Sequence, residues 1–116
     1  MTHTAHNEYS TSDQQQLLRL ARASIAHTLR HETDLQVQLD DFPPHLCCNR
    51  ACFVTLKRGT QLRGCIGAMQ ATQPLVQEVV ARAKDAAFND PRFEPLQPHE
   101  LDQLTIHISV LNPMEP

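Results

Sequence analysis

Cys52-Phe53-Val54-Thr55-Leu56-Lys57-Arg58-Gly59-Thr60-Gln61-Leu62-Arg63-Gly64-Cys65-Ile66-Gly67 is the stretch whose reading decides the fold. Cys52 to Lys57 and Thr60 to Ile66 read as the two strands of a hairpin, and the length of the loop between them decides which side chains share a face. With Lys57-Arg58-Gly59 as a three-residue connection and Gly59 left-handed, Leu56 pairs with Thr60, Val54 with Leu62 and Cys52 with Gly64. One face then collects Cys52, Val54, Leu56, Leu62 and Ile66; the other collects Phe53, Thr55, Gln61, Arg63 and Cys65. A two-residue loop that sets Val54 against Arg63 and Thr55 against Leu62 mixes core and surface on both sides, so the three-residue form is expected.

Glycine inside an apolar strand weakens packing and is found where the backbone bends, takes positive φ or approaches something closely. Gly64 and Gly67 flank Cys65, which suggests a ligand approached there, while a packing role explains them equally. Alternation puts Arg63 beside Cys65, and a neighbouring cation lowers a thiol pKa from its free value of about 8.5. Cys65 is thus a candidate nucleophile with Arg63 as its activator; the alternative is a cysteine that fills a crowded spot beside a solvated arginine. A nucleophilic thiol wants a base, and His107 or His99 are the candidates downstream. On the opposite face Cys52 is a small core hydrophobe. A disulfide between Cys52 and Cys65 is unexpected, because its Cβ atoms must lie about 4 Å apart.

Outward from the hairpin, residues 1–11 carry no hydrophobic period and read as a disordered leader. Ser12 with Gln15 forms a capping-box pattern, and Leu17, Leu18, Ala21, Ser24, Ile25, Thr28 and Leu29 recur at helical spacing, predicting a helix from about Asp13 to Arg30. His31 to Leu46 is polar and holds Pro43-Pro44, so it reads as a loop across the sheet edge. Thr72 is the expected cap of a second helix carrying Leu75, Val76, Val79, Val80, Ala83, Ala86 and Ala87 on one side, with Glu78 and Arg82 as an exposed pair. Asn89-Asp90-Pro91 ends it. Leu104, Ile106, Ile108 and Val110 alternate with Thr105, His107 and Ser109, the pattern of a half-buried strand. The order α-β-β-α-β predicts an α+β domain: one small mixed sheet containing the hairpin, with helices packed on it and a crossover between the second and third strands.

The chain has 116 residues, a formal net charge of -3, four Phe, one Tyr and no Trp. That length suits one domain over residues 12–116. The acidic balance and scarce aromatics argue against nucleic-acid binding. No run approaches the roughly twenty apolar residues of a membrane span, and the leader lacks an apolar signal core, so a cytoplasmic protein with free thiols is expected. His45, Cys47, Cys48 and Cys52 lack zinc-ribbon spacing, so neither metal nor cofactor is assigned.

Phe53-Val54-Thr55-Leu56, Leu62-Arg63-Gly64-Cys65-Ile66-Gly67, Asp90-Pro91-Arg92-Phe93 and Ile108-Ser109-Val110-Leu111, in this order and spacing, resemble the AMMECR domain family, intracellular proteins of poorly defined chemistry. The resemblance runs from about Ser12 to Pro116. It implies the first lobe of a longer domain, and a setting in which such proteins stand as the A component beside a Memo-type and a radical-SAM protein, the AmmeMemoRadiSam system. It raises the weight of Cys65, Arg63 and His107 as catalytic candidates and of Gly64, Gly67, Asp90 and Arg92 as ligand-binding candidates. For Asp90-Pro91-Arg92-Phe93 a mechanical reading stands beside it, in which Pro91 stops the helix, Phe93 anchors the loop and Asp90 pairs with Arg92. The two expectations for function are a cysteine-dependent enzyme component and a non-catalytic binding adaptor; a role in nucleic-acid metabolism, sometimes proposed for the family, is the least expected. Because family domains continue into a second lobe beyond the position of Pro116, an exposed apolar surface and a homodimer formed through it are also expected.

Overall fold

A computed structural model of the chain describes Thr2–Thr4 as backbone and residues 9–112 in full. Its elements are β1 (Thr2–Thr4), α1 (Thr11–His31), β2 (Cys52–Arg58), β3 (Gln61–Gly67), α2 (Leu75–Phe88) and β4 (Leu104–Val110), with single 3-10 turns at Leu39–Asp41 and Pro44–Leu46 and a longer 3-10 segment at Pro98–Gln103. The sheet order is β1-β4-β2-β3. β2 is antiparallel to both β3 and β4, and β1 runs parallel to β4, which makes the sheet mixed. The expected α-β-β-α-β order is present. β3 and β4 point the same way but are not neighbours, so α2 carries the chain over β2 in a split crossover.

The leader differs from expectation, because Thr2–Thr4 pair with Ile108–Val110; residues 5–8 lie outside the described residues. Tyr9 belongs to the core. The cap of α1 is Ser10 rather than Ser12: its hydroxyl accepts the Asp13 N–H at 3.0 Å and the Asp13 carboxylate accepts the Ser10 N–H at 3.1 Å. Both Ser10 and Ser12 precede an acceptor-bearing residue three positions on, and the apolar stripe cannot choose between them. Leu17, Leu20, Ala21, Ser24 and Ile25 are the buried stripe, and the Ser24 hydroxyl donates to the Val80 carbonyl of α2 at 2.8 Å.

Both helices lie on one face of the sheet, above Cys52, Val54, Leu56, Ile106, Ile108 and Val110, all buried. β4 alternates as the sequence predicts. The segment after α1 starts against the helices: Asp34 to Val37 line a groove with α1 and α2, and Asp34 forms an ion pair with Lys84 of α2. Thr72 does not cap α2. Pro74 occupies that position without a side-chain cap, and the Leu75 N–H instead donates to the Cys48 carbonyl at 2.9 Å. Glu78, expected at the surface, is 2% exposed, because α2 is covered on that side by the chain entering it.

The hairpin departs from the expected register. Arg58 pairs with Gln61, so the turn is the two residues Gly59-Thr60, with Gly59 at φ +60. Lys57 pairs with Leu62 and Leu56 with Gly64, which leaves Arg63 as an extra, bulged residue. Continued without the bulge, this register would set Leu56 against Arg63 and Val54 against Cys65. The extra residue restores parity, so Val54 meets Ile66 and Thr55 meets Cys65. The cost is borne by Leu62, expected in the core and found 40% exposed.

Candidate functional site

Cys65 and Cys52 point to opposite faces, as the parity argument requires. Cys52 is fully buried, and that burial, reinforced by Glu78, pushes its thiol up to about 12. Cys65 is half-buried on the face that, among the described residues, carries no helix, and its Sγ lies 3.2 Å from the Thr55 Oγ1. Thr55 pairs with Cys65 on one side and with His107 on the other. The three form a transverse row in which Cys65 and His107 are separated by two strand spacings, about 9.5 Å. The structure thus brings His107 to the expected face but not to the thiol.

β3 is an edge strand, and the loop after α2 closes its edge at one point. Asp90 Oδ2 accepts the Cys65 N–H at 3.0 Å, and the Arg92 guanidinium donates to the Cys65 carbonyl at 3.4 Å. The two side chains are joined to each other, with Arg92 Nη2 2.8 Å from Asp90 Oδ2 and Arg92 Nε 3.0 Å from Oδ1. An ion pair therefore stands where a neighbouring strand would, satisfying the two backbone groups that an edge leaves open. The Arg92 hydrogen bond, opposed by burial, holds the Asp90 carboxyl far below the ordinary aspartate range, and the same bond raises Arg92. Asp90 is buried and fully engaged within the protein; Arg92 is more than half exposed.

Arg63 is engaged elsewhere. Its Nε and Nη2 contact the Glu100 carboxylate at 2.8 and 3.1 Å, and Nη2 also donates to the Glu94 carbonyl at 2.8 Å. Arg58 reaches the same carboxylate at 3.0 Å and the Gln97 N–H donates to it at 2.9 Å. These partners, led by the Arg63 hydrogen bond and against the effect of burial, lower Glu100 to about 2. Phe93 lies between two guanidiniums, its ring centre 6.0 Å from Arg63 and 5.4 Å from Arg92. The alternation that pairs Arg63 with Cys65 on one face is broken by the bulge, and the activating cation of the sequence reading is a structural strut. Glu100 escaped the sequence reading altogether, although Gln97 three residues before it, with Pro98 between, is a capping pattern that signals a carboxylate turned inward.

The glycines are filled from within. A Cβ on Gly64 would stand 2.1 Å from the Ala86 carbonyl oxygen of α2, and one on Gly67 would stand 2.3 Å from the Phe53 ring and 2.6 Å from the Cys52 oxygen. Gly64 admits the helix and Gly67 admits an aromatic ring on the open face. All four cysteines are free. Among the described residues no group of three or more His, Cys, Asp or Glu is placed to hold a metal ion, and no helix is long and apolar enough to cross a membrane.

A two-layer α+β unit with a thiol held on the sheet face away from its helices, by an acid-arginine clamp on that thiol's backbone, is the class of protein this geometry defines. Residues 18–116 match the AMMECR1 family model, and the chain belongs to that family. It is 41% identical over 100 residues to a protein of Methanothermobacter thermautotrophicus, covering 86% of this chain and 52% of that one. Over 113 residues it is 42% identical to a protein of Aeropyrum pernix, covering 94% and 48%. The crystal structure of the uncharacterized protein PH0010 from Pyrococcus horikoshii superposes with a TM-score of 0.79 at 37% identity, covering 87% of this chain and 53% of that one. The chain spans about half the length of the relatives it matches.

Proposed function

We propose that this unit is the recognition half of an AMMECR1-type protein, whose open sheet face around Cys65, Thr55 and Phe53 receives an extended segment or small ligand of a partner. The supporting observation is how Cys65 is presented: its N–H and C=O are pinned by Asp90 and Arg92 while its thiol rests against Thr55 on the uncovered face. Such pinning removes backbone freedom before binding and so lowers the cost of ordering the site. Turnover by a thiol calls for a base within about 2.6–3.2 Å, and His107 is two strands away. The partners in this reading are the Memo-type and radical-SAM proteins that the family resemblance implies.

A second reading, a cysteine-dependent enzyme component within the same assembly, draws on the partial exposure of Cys65 and its hydroxyl neighbour. There the base comes from another polypeptide. The two readings separate on one experiment. Binding of the purified Memo-type and radical-SAM proteins from the same genome is measured by calorimetry for the native chain, Cys65→Ala and Thr55→Lys. Recognition predicts that Cys65→Ala still binds and Thr55→Lys does not. Alkylation of Cys65 much faster than that of a free cysteine peptide, together with loss of the assembly's activity in Cys65→Ala, would favour the enzyme reading and sink the first.

A further inference from the structure

α1 ends on a pair of imidazoles. His27 and His31 stand four residues apart at the close of this 21-residue helix, a spacing that sets two side chains on one face. Their ring centres are 4.7 Å apart with the planes tilted by 48°, so the rings adjoin without stacking face to face. His31 is exposed and His27 half-buried. The chain then turns back: Glu32 takes the left-handed conformation at φ 57, and its N–H donates to the Thr28 carbonyl at 2.8 Å. The Thr28 hydroxyl donates to the Thr33 carbonyl at 3.2 Å, and the Thr33 hydroxyl arrives 3.1 Å from His27 Nε2. Among the described residues the His31 ring has no partner other than His27.

We propose that His27 and His31 together bind a divalent late transition-metal ion, Ni²⁺ or Cu²⁺, through one ring nitrogen from each. Two histidines at this helical spacing are able to reach a single ion. Rings bound at about 2.1 Å have their centres roughly 3.2 Å from the ion, so centres 4.7 Å apart subtend close to a right angle there. That is the angle between adjacent ligands of a tetragonal or octahedral ion, the geometry of Cu²⁺ and Ni²⁺ sites rich in nitrogen and oxygen. Thr33 supports the arrangement: with the Nε2–H donated to its hydroxyl, His27 is fixed in the tautomer that leaves Nδ1 for the ion. His31, being exposed, turns about its side-chain bonds to present either nitrogen. The last turn of a helix carries the negative end of its dipole, which favours a cation. Arg30, the other basic residue of that turn, lines a separate groove with Pro98 and Asp102. Among the described residues no third His, Cys, Asp or Glu is placed to join the pair, so water completes the shell and the ion is exchangeable. The site lies on the helix layer, away from Cys65, and goes beyond the recognition role proposed for the sheet face.

The test is a backbone-amide NMR titration of the chain with Ni²⁺, whose unpaired electrons broaden the signals of residues near the bound ion. Saturable broadening centred on residues 27–34 is expected, whatever occurs at other histidines and cysteines, and excess Mg²⁺, which prefers oxygen ligands, should not reverse it. His31→Gln should keep the thermal midpoint and raise the Ni²⁺ concentration that half-broadens residues 27–34 by at least about tenfold, since loss of even a supporting group costs a metal site that much. His27→Gln should do the same; if either variant shifts the midpoint, the other decides, and if both do, the native-chain titration decides. No broadening centred on residues 27–34, its reversal by Mg²⁺, or an unchanged Ni²⁺ dependence in a folded His31→Gln or His27→Gln chain would each overturn the proposal.

Discussion

Asp90 holds Cys65 by its backbone, accepting the amide N–H at 3.0 Å across the otherwise open edge of β3. The carboxylate that binds the N–H is also bound by the arginine that caps the carbonyl, so the edge is closed by a single rigid unit. Replacing Asp90 by Ala leaves that N–H unsatisfied and frees Arg92 into solvent. A loss of about 1–3 kcal/mol is expected, with faster hydrogen exchange at Cys65 than at residues of β2. Urea unfolding and exchange mass spectrometry read both, and an unchanged exchange rate at Cys65 would show that the clamp is ornamental.

Arg63 is expected to matter for stability and Cys65 is not. Arg63→Met leaves the buried Glu100 carboxylate with its exposed partner Arg58 and the Gln97 N–H, and the lost charged hydrogen bonds are expected to cost about 1.5–3 kcal/mol. Cys65→Ala trims a half-buried thiol and falls within about 1 kcal/mol of the native chain. Equal stability of Arg63→Met and the native protein, by denaturant midpoint, would return Arg63 to the list of free cations.

Three glycines respond differently to alanine. Gly64→Ala drives a methyl against backbone of α2 and is expected to cost about 1–3 kcal/mol or more. Gly67→Ala meets the Phe53 ring and the Cys52 oxygen and behaves similarly. At Gly59 there is space but the backbone is left-handed, so the substitution costs only about 1 kcal/mol. Thermal denaturation of the three variants ranks them, and a Gly59 variant less stable than the Gly64 variant would contradict the packing.

Acid weakens the fold in a defined window. Glu100 titrates at about 2 in the folded protein and at roughly 4.3 when unfolded, so as pH falls the unfolded chain binds its proton first. The stability Glu100 contributes is complete above the unfolded value and drains away as pH approaches the folded one. Asp90, held lower still by Arg92, acts in the same direction and extends the loss to more acid conditions. Urea midpoints should fall steadily from about pH 5 downward, and a Glu100→Gln variant, already less stable at neutral pH, should show a shallower fall.

Native-state alkylation orders the cysteines. Cys48 is exposed, Cys65 half-buried and Cys52 sealed with its thiol pushed up to about 12. Iodoacetamide labelling followed by peptide mapping should therefore modify Cys48 and Cys65 readily and Cys52 only after unfolding. Rapid labelling of Cys52 in the folded chain would place the hairpin in the opposite parity.

Much of this arrangement is legible in the residues alone, because periodicity is a local property. Alternation in Leu104–Val110 and the stripe from Leu17 to Ile25 declare a strand and a helix whatever surrounds them. The opposed faces of Cys52 and Cys65 are also legible, since only even-parity pairing keeps Val54 and Ile66 together. The bulge that achieves this is invisible in one dimension: a three-residue loop, or a two-residue turn plus an extra Arg63, gives Val54, Ile66 and Cys65 the same faces, and the two differ at Leu62, which the hydrophobic pattern alone would put in the core.

By itself, then, the order of residues determined the two helices, the hairpin strands and the strand Leu104–Val110, the α+β class, the family and which cysteine looks outward, all consequences of spacing along one chain; the pairing of Thr2–Thr4 with β4 was not among them. Tertiary contact alone decided what the charged groups do. Arg63 could not be known to serve Glu100, nor Asp90 to hold Cys65, because each partner lies many residues away, and the burial of Glu78 depends on how the chain entering α2 folds over it. Long polar side chains have too many possible companions for sequence to choose among them, and the choice is made only when packing fixes which charges share a low-dielectric place.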